Sequence, residues 1–109
     1  MYARNVSIRL KPSMLNDFNK TFEQEVLPLL RKQKGFKDEI TFFVPESNEV
    51  IAISLWENKE SAETYNTAGY PEVVRLLTRT FDGTPKVRTS EVIHSTFHKV
   101  TPTSATVAA

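Results

Sequence analysis

Residues Glu49–Trp56 read EVIAISLW, and this octapeptide decides the fold. Strict alternation marks it as a strand. Ile51, Ile53 and Leu55 point one way, while Val50, Ala52 and Trp56 point the other. A sheet covered by helices on one side only should show the core one apolar face and solvent one polar face. This strand has two apolar faces, so something other than its own helices is expected to cover the second one.

Upstream, residues 36–45 alternate as a strand, with Asp38, Ile40, Phe42 and Val44 on one face. The segment PESNE then reads as a hairpin connection to the octapeptide. Before these lies a helix, predicted over 14–33. Leu15, Phe18, Phe22, Val26, Leu29 and Leu30 recur at spacings of three and four and form one apolar stripe. Ser13 suits its N-cap, Pro28 should kink it, and Gly35 suits its C-terminal exit. The chain opens with a strand over 2–10. Val6, Ile8 and Leu10 face one way there; Ala3, Asn5, Ser7 and Arg9 face the other.

Downstream, Asn58 can cap a helix, with Glu60 in its first turn. A break falls near Gly69, and Pro71 starts a fresh helical segment carrying Val73, Val74, Leu77 and Phe81 on its apolar side. Asp82-Gly83 reads as the stop, and 86–99 returns to strand alternation through Val87, Ile93 and Phe97. The order is βαββαβ, an α+β, ferredoxin-like arrangement with a four-stranded antiparallel sheet and two helices on one face. One domain is expected over 1–100, with a flexible tail at 101–109. The doubly apolar third strand predicts a homodimer packed sheet against sheet, and a last strand long enough to reach the partner.

Composition narrows the function classes. A net charge of +1, from 14 basic and 13 acidic residues, supplies no field for nucleic acid or an anionic membrane. No apolar run approaches membrane-spanning length. The absence of cysteine excludes thiol nucleophiles and disulfides, and three glycines leave no phosphate-cradling loop. A cytoplasmic location is expected. His94 and His98 on one strand would sit about 13 Å apart, too far to share a metal, so no metal site is expected.

Two stretches carry a resemblance. LKPSMLNDFNKTFEQEVLPLLRKQKGF (10–36) and VIAISLWENKESAETY (50–65) resemble the antibiotic biosynthesis monooxygenase-like family, within the dimeric α+β barrel superfamily. The Trp-Glu-x-x-Glu-Ser-Ala segment is the most recognisable part, and the resemblance spans roughly 2–98. It implies a dimeric α+β barrel and oxygen chemistry of two kinds. One branch oxidises aromatic phenols or hydroquinones with O2 and no cofactor. The other degrades haem, using an Asn on the first strand with a Trp and a His on the second helix. Asn5 matches the first of these, but Tyr65 and Arg75 stand at the other two, and no histidine precedes His94. The resemblance therefore implies a cofactor-independent monooxygenase acting on a small aromatic or quinol-type molecule. Asn5, Trp56, Tyr65 and His94 are the expected catalytic residues, and Phe18, Phe22, Tyr70 and Leu77 the expected substrate contacts; Arg9 is a further candidate, with His94, for an acid–base or anion-stabilising group. The other reading is a non-enzymatic dimeric binding or stress-associated module, its pocket closed by Leu15, Phe18, Phe22 and the two tyrosines. Each site residue also has a structural reading: Trp56 as core, Tyr65 and Tyr70 as packing at a hinge, the histidines as surface or interface groups.

Overall fold

The structure is a computed structural model and describes residues 1–100, so the tail expected at 101–109 lies outside the described residues. Strands β1 (Tyr2–Leu10), β2 (Phe36–Val44), β3 (Glu49–Trp56) and β4 (Phe81–Glu91) form one antiparallel sheet in the order β2-β3-β1-β4. Helices α1 (Leu15–Thr21), α2 (Leu27–Arg31), α3 (Lys59–Ala68) and α4 (Tyr70–Leu77) occupy the two crossovers. The expected βαββαβ order and the bounds of β3 are met.

The core lies between the helices and one sheet face. Leu10, Phe18, Val26, Leu30, Val50, Trp56, Tyr65 and Leu77 form its centre, each at most 6% exposed. The register fixes which strand residues face it. Arg4 pairs with Ser54, and Ser54 with Glu39, so these three make one row across β1, β3 and β2. The adjacent row on the opposite face runs Ile40, Ile53, Asn5, Arg88. That second face carries Ile40 and Phe42, 52% and 46% exposed.

Three local expectations are corrected, and a fourth takes a specific form. The first helix does not begin at a Ser13 cap. Ser13 has φ +65°, as the third residue of a Lys11–Met14 turn with Pro12 second, and the Met14 N–H donates to Lys11 O at 3.2 Å. The irregularity expected near Pro28 takes the form of a π-helical turn over Phe22–Val26, closed by Leu27 N–H to Phe22 O. Pro28 has no N–H and its ring crowds the carbonyl one turn back, so the wider turn just before it relieves the clash. Gly35 lies beyond the helix end at Lys32 and leads into β2. There its φ is +82°, and a Cβ would stand 2.2 Å from Ser61 Oγ.

The third correction concerns β4. It begins at Phe81, and Asp82-Gly83 is part of it: a register shift between Ser7 and Arg9 places Gly83, φ +74°, in a bulge. A bulge uses the same left-handed glycine as a turn, which is why the dipeptide reads as a stop. The strand ends at Glu91, so the long strand expected to 99 is not formed. Residues 92–98 instead cross the end of the sheet. Val92 N–H donates to Met1 O at 2.9 Å, and the His98 ring meets Asp38 Oδ2 at 3.2 Å on the far edge strand. Ile93 and Phe97 are exposed on this crossing.

Candidate functional site

Asn58 starts the element that builds the site. Its side-chain oxygen accepts the Ser61 N–H at 2.8 Å and fixes the start of α3. One face of α3 then lowers Tyr65 onto Trp56, the rings stacked with centroids 4.7 Å apart. Trp56 is fully buried, donates Nε1–H to Ser54 Oγ at 2.9 Å, and meets the Phe36 edge at 5.5 Å. The α3–α4 break presents Tyr70 edge-on to Tyr65 at 6.1 Å. Gly69 is needed there, because a Cβ would lie 2.8 Å from the Tyr65 ring.

Between the sheet and these helices lies a chamber. Its polar groups are Arg4, Glu39, Ser54, Tyr65 and Tyr70; Phe18, Phe22, Val26, Val73 and Leu77 are among its apolar walls. About 60 Å³ is open to the centres of water molecules. At roughly 10–15 Å³ for each such centre, that is room for on the order of four waters, the bulk of one ring. A groove outside it, about 380 Å³, runs between the first helix and the edge of β2. Phe18 and Phe22 line both and stack at 5.3 Å, forming the partition.

The electrostatics are uneven. Arg4 is 2% exposed; its Nη1–H donates to Asn66 Oδ1 at 2.8 Å, and its guanidinium carbon sits 4.5 Å from the Tyr70 ring centre and 5.3 Å from that of Tyr65. Burial lowers the Arg4 pKa, and the two tyrosines oppose that shift. The half-buried Glu39 carboxyl is pushed up to about 7, chiefly by burial and slightly by Asp38, against a hydrogen bond from Thr41 Oγ1 at 2.9 Å. Burial raises both phenols, with Arg4 opposing, and the Tyr65 hydroxyl is well above its ordinary range. The chamber thus holds a buried cation, a carboxyl that titrates near neutrality, and phenols that keep their protons.

Of the expected residues, Tyr65, Tyr70, Phe18, Phe22 and Leu77 come together in the chamber wall. Trp56 stands behind Tyr65 rather than in the wall. Asn5 lies on the opposite face of the sheet, in register with Ile53 and Arg88, and does not reach the tyrosines. His94 is exposed on the 92–98 crossing. The two histidines share no strand, so their expected spacing there does not apply. Arg4 and Glu39 were not singled out in the sequence, although both stand in the helix-facing register. Among the described residues no group of three or more His, Cys, Asp or Glu is placed to hold a metal. No helix there is long and apolar enough to cross a membrane.

No protein-family model and no curated protein matches the chain in sequence. Solved structures do match its shape. A Bordetella bronchiseptica protein assigned as an antibiotic biosynthesis monooxygenase aligns with TM-score 0.73 at 19% identity, over 85% of this chain and 97% of that one. The ActVA-Orf6 monooxygenase of Streptomyces coelicolor, solved with nanaomycin D, gives 0.71 at 14%, over 90% and 92%. SnoaB, a cofactor-independent oxygenase of Streptomyces nogalater, gives 0.70 at 12%, over 89% and 97%. The likeness covers nearly the whole of each chain, and the resemblance read from two sequence stretches is met at the level of architecture: this chain has the ferredoxin-like α+β fold of the antibiotic biosynthesis monooxygenases.

Proposed function

We propose that the protein is a cofactor-independent monooxygenase that oxidises a small, single-ring phenol or hydroquinone with O2 in the chamber between sheet and helices. One observation carries this reading: a carboxyl raised to about 7, Glu39, shares an apolar chamber with a buried arginine and a protonated phenol. Cofactor-free oxygenation needs a base, a stabilised oxyanion and exclusion of water, and little else from the protein.

Glu39 takes the phenolic proton. The positive field of Arg4 and the Tyr65 hydroxyl favour the resulting phenolate. The electron-rich ring passes one electron to O2, and the radical pair recombines at a ring carbon to give a hydroperoxide. Loss of water then leaves the quinone. One oxygen atom ends on carbon and the other leaves as water with the two hydrogens given up by the phenol, so the substrate is the sole reductant. Trp56 and Ser54 position Tyr65 and the chamber floor rather than reacting.

The test is O2 uptake with a panel of single-ring phenols and hydroquinones. We expect consumption above the autoxidation rate, falling by about 10²–10⁴ in Glu39→Gln, the usual range for one general base. An unchanged autoxidation rate across the panel sinks the reading.

A non-enzymatic binding module of the same fold is favoured by the small free volume, about 60 Å³, and by the absence of Asn5 and Trp56 from its wall. It predicts ligand binding with no O2 uptake. Under either reading we propose that the working unit is a homodimer, with a second copy covering the face that bears Ile40 and Phe42.

A further inference from the structure

Arg4 is the one residue among those described with buried side-chain nitrogens that have no hydrogen-bond partner. Its Nη1 is committed to Asn66, and Tyr70 and Tyr65 flank the guanidinium. Nε and Nη2 are buried with nothing to donate to. These two nitrogens lie side by side on one edge of the guanidinium, and their N–H groups run parallel at the separation of the two oxygens of a carboxylate. A buried arginine without an acid is costly, because the charge has lost its water and gained no ion partner. Glu39, the carboxyl in the same wall, makes no ion pair with it. Arg4 and Glu39 flank Ser54 in one row, two strand spacings or roughly 10 Å apart.

We propose that the chamber binds a small aromatic or unsaturated carboxylic acid, its carboxylate held side-on by Nε–H and Nη2–H of Arg4 and its ring in the apolar space beside Phe18, Phe22 and Leu77. Both nitrogens are shut off from water, so the acid seats by displacing the half-buried Tyr70, which stands at the Gly69–Pro71 break. The size agrees: the free volume is that of one ring. The row agrees too, because Arg4 and Glu39 enter the same chamber from strands on either side of β3, so a ring that carries a carboxylate at one end and a hydroxyl at the other can face both. That last point rests on the oxygenase reading; the arginine fork does not.

The test uses the whole chain and the emission of Trp56, the only tryptophan, which stacks on Tyr65 in the chamber wall. Benzoate and 4-hydroxybenzoate are titrated against their amides, which keep shape and lose charge. We expect each acid to bind at least tenfold tighter than its amide. Arg4→Lys, which keeps the charge and loses the fork, and Arg4→Gln should both abolish that preference. Thermal shift of the unaltered protein by each acid and amide gives the same comparison if those variants fold poorly. Equal affinity for acid and amide, a preference surviving in Arg4→Lys, or no binding of either acid at millimolar concentration overturns the proposal. Benzoate has no hydroxyl to oxidise, so its binding is independent of turnover. Tight acid binding without O2 uptake therefore defeats the oxygenase reading alone. Turnover of neutral hydroquinone with no acid preference defeats the fork alone.

Discussion

Glu39 sets the pH behaviour at the scale of single residues. Its carboxyl is raised from 4.5 to about 7, so the folded state holds the proton more tightly than the unfolded chain does. The sign follows from linkage: this contribution to stability is fully present below pH 4.5 and is lost as pH rises through about 7. Glu39→Gln should therefore melt with the unaltered protein at pH 4 and above it at pH 8. Identical melting temperatures at pH 8 would show that the carboxyl is solvated. Under the oxygenase reading, turnover rises with pH through about 7 and then levels, and Glu39→Gln loses that limb. Of the two charged groups of the chamber, Arg4 is legible in the sequence through parity and Glu39 is not. Arg4 shares the register of Val6, Ile8 and Leu10, and Glu39 that of Thr41 and Phe43. A charge in an apolar register is the signal at Arg4; Glu39 shares its register with Lys37 as well, and only the pairing of β2 with β3 turns it toward the helices, opposite Ser54. Asn5 was a site residue implied by the family resemblance, but it has the opposite parity to Arg4, and parity prevails because strand side chains alternate by geometry. Whether Arg4 would find an ion partner was not legible, since that depends on three-dimensional neighbours.

The elements are held by a few local contacts that substitution can remove one at a time. Asn58→Ala removes the acceptor for Ser61 N–H. It should cost about 1 kcal/mol, a fall in melting temperature of about 4–8 °C for a domain of this size. No fall would mean that water replaces the cap without penalty. Gly35→Ala should cost more. It forces a residue with a Cβ to φ +82° and drives that Cβ to 2.2 Å from Ser61 Oγ, on the turn that seats α3. Pairing Gly35→Ala with Ser61→Gly separates the two effects: the double variant recovers the part due to the clash and keeps the part due to the backbone. The cap, the Gly69–Pro71 break and β3 were all readable, because each depends on residues within one turn or one strand. The start of β4 was not, because only pairing with β1 shows that Gly83 lies in a bulge. The 92–98 segment alternates like a strand, yet it leaves the sheet to reach Asp38, an interaction 60 residues away in sequence.

At the scale of the whole molecule, the sheet face away from the helices is divided. Its β2–β3 half presents Ile40, Phe42, Ile51, Ile53 and Leu55, while its β1–β4 half presents Asn5, Ser7, Lys86 and Arg88. Ile40 and Phe42 leave about half their surface in water, and the three β3 residues between them and β1 are only partly buried. An apolar half-face of this kind is what a two-fold axis uses, since each copy offers the same patch to the other. The second apolar side of EVIAISLW is explained if a second copy covers it, because this chain's own helices all serve the Val50–Trp56 side. Sedimentation at micromolar concentration should accordingly give twice the 12.4 kDa chain mass. Ile40→Glu combined with Phe42→Glu should give the 12.4 kDa species, because two carboxylates facing their own copies across the axis are desolvated without partners. Both side chains lie on the outer face, so the chamber and its response to benzoate should survive in the monomer. If the unaltered chain sediments as a monomer, the second apolar face needs another cover, and the homodimer proposal fails.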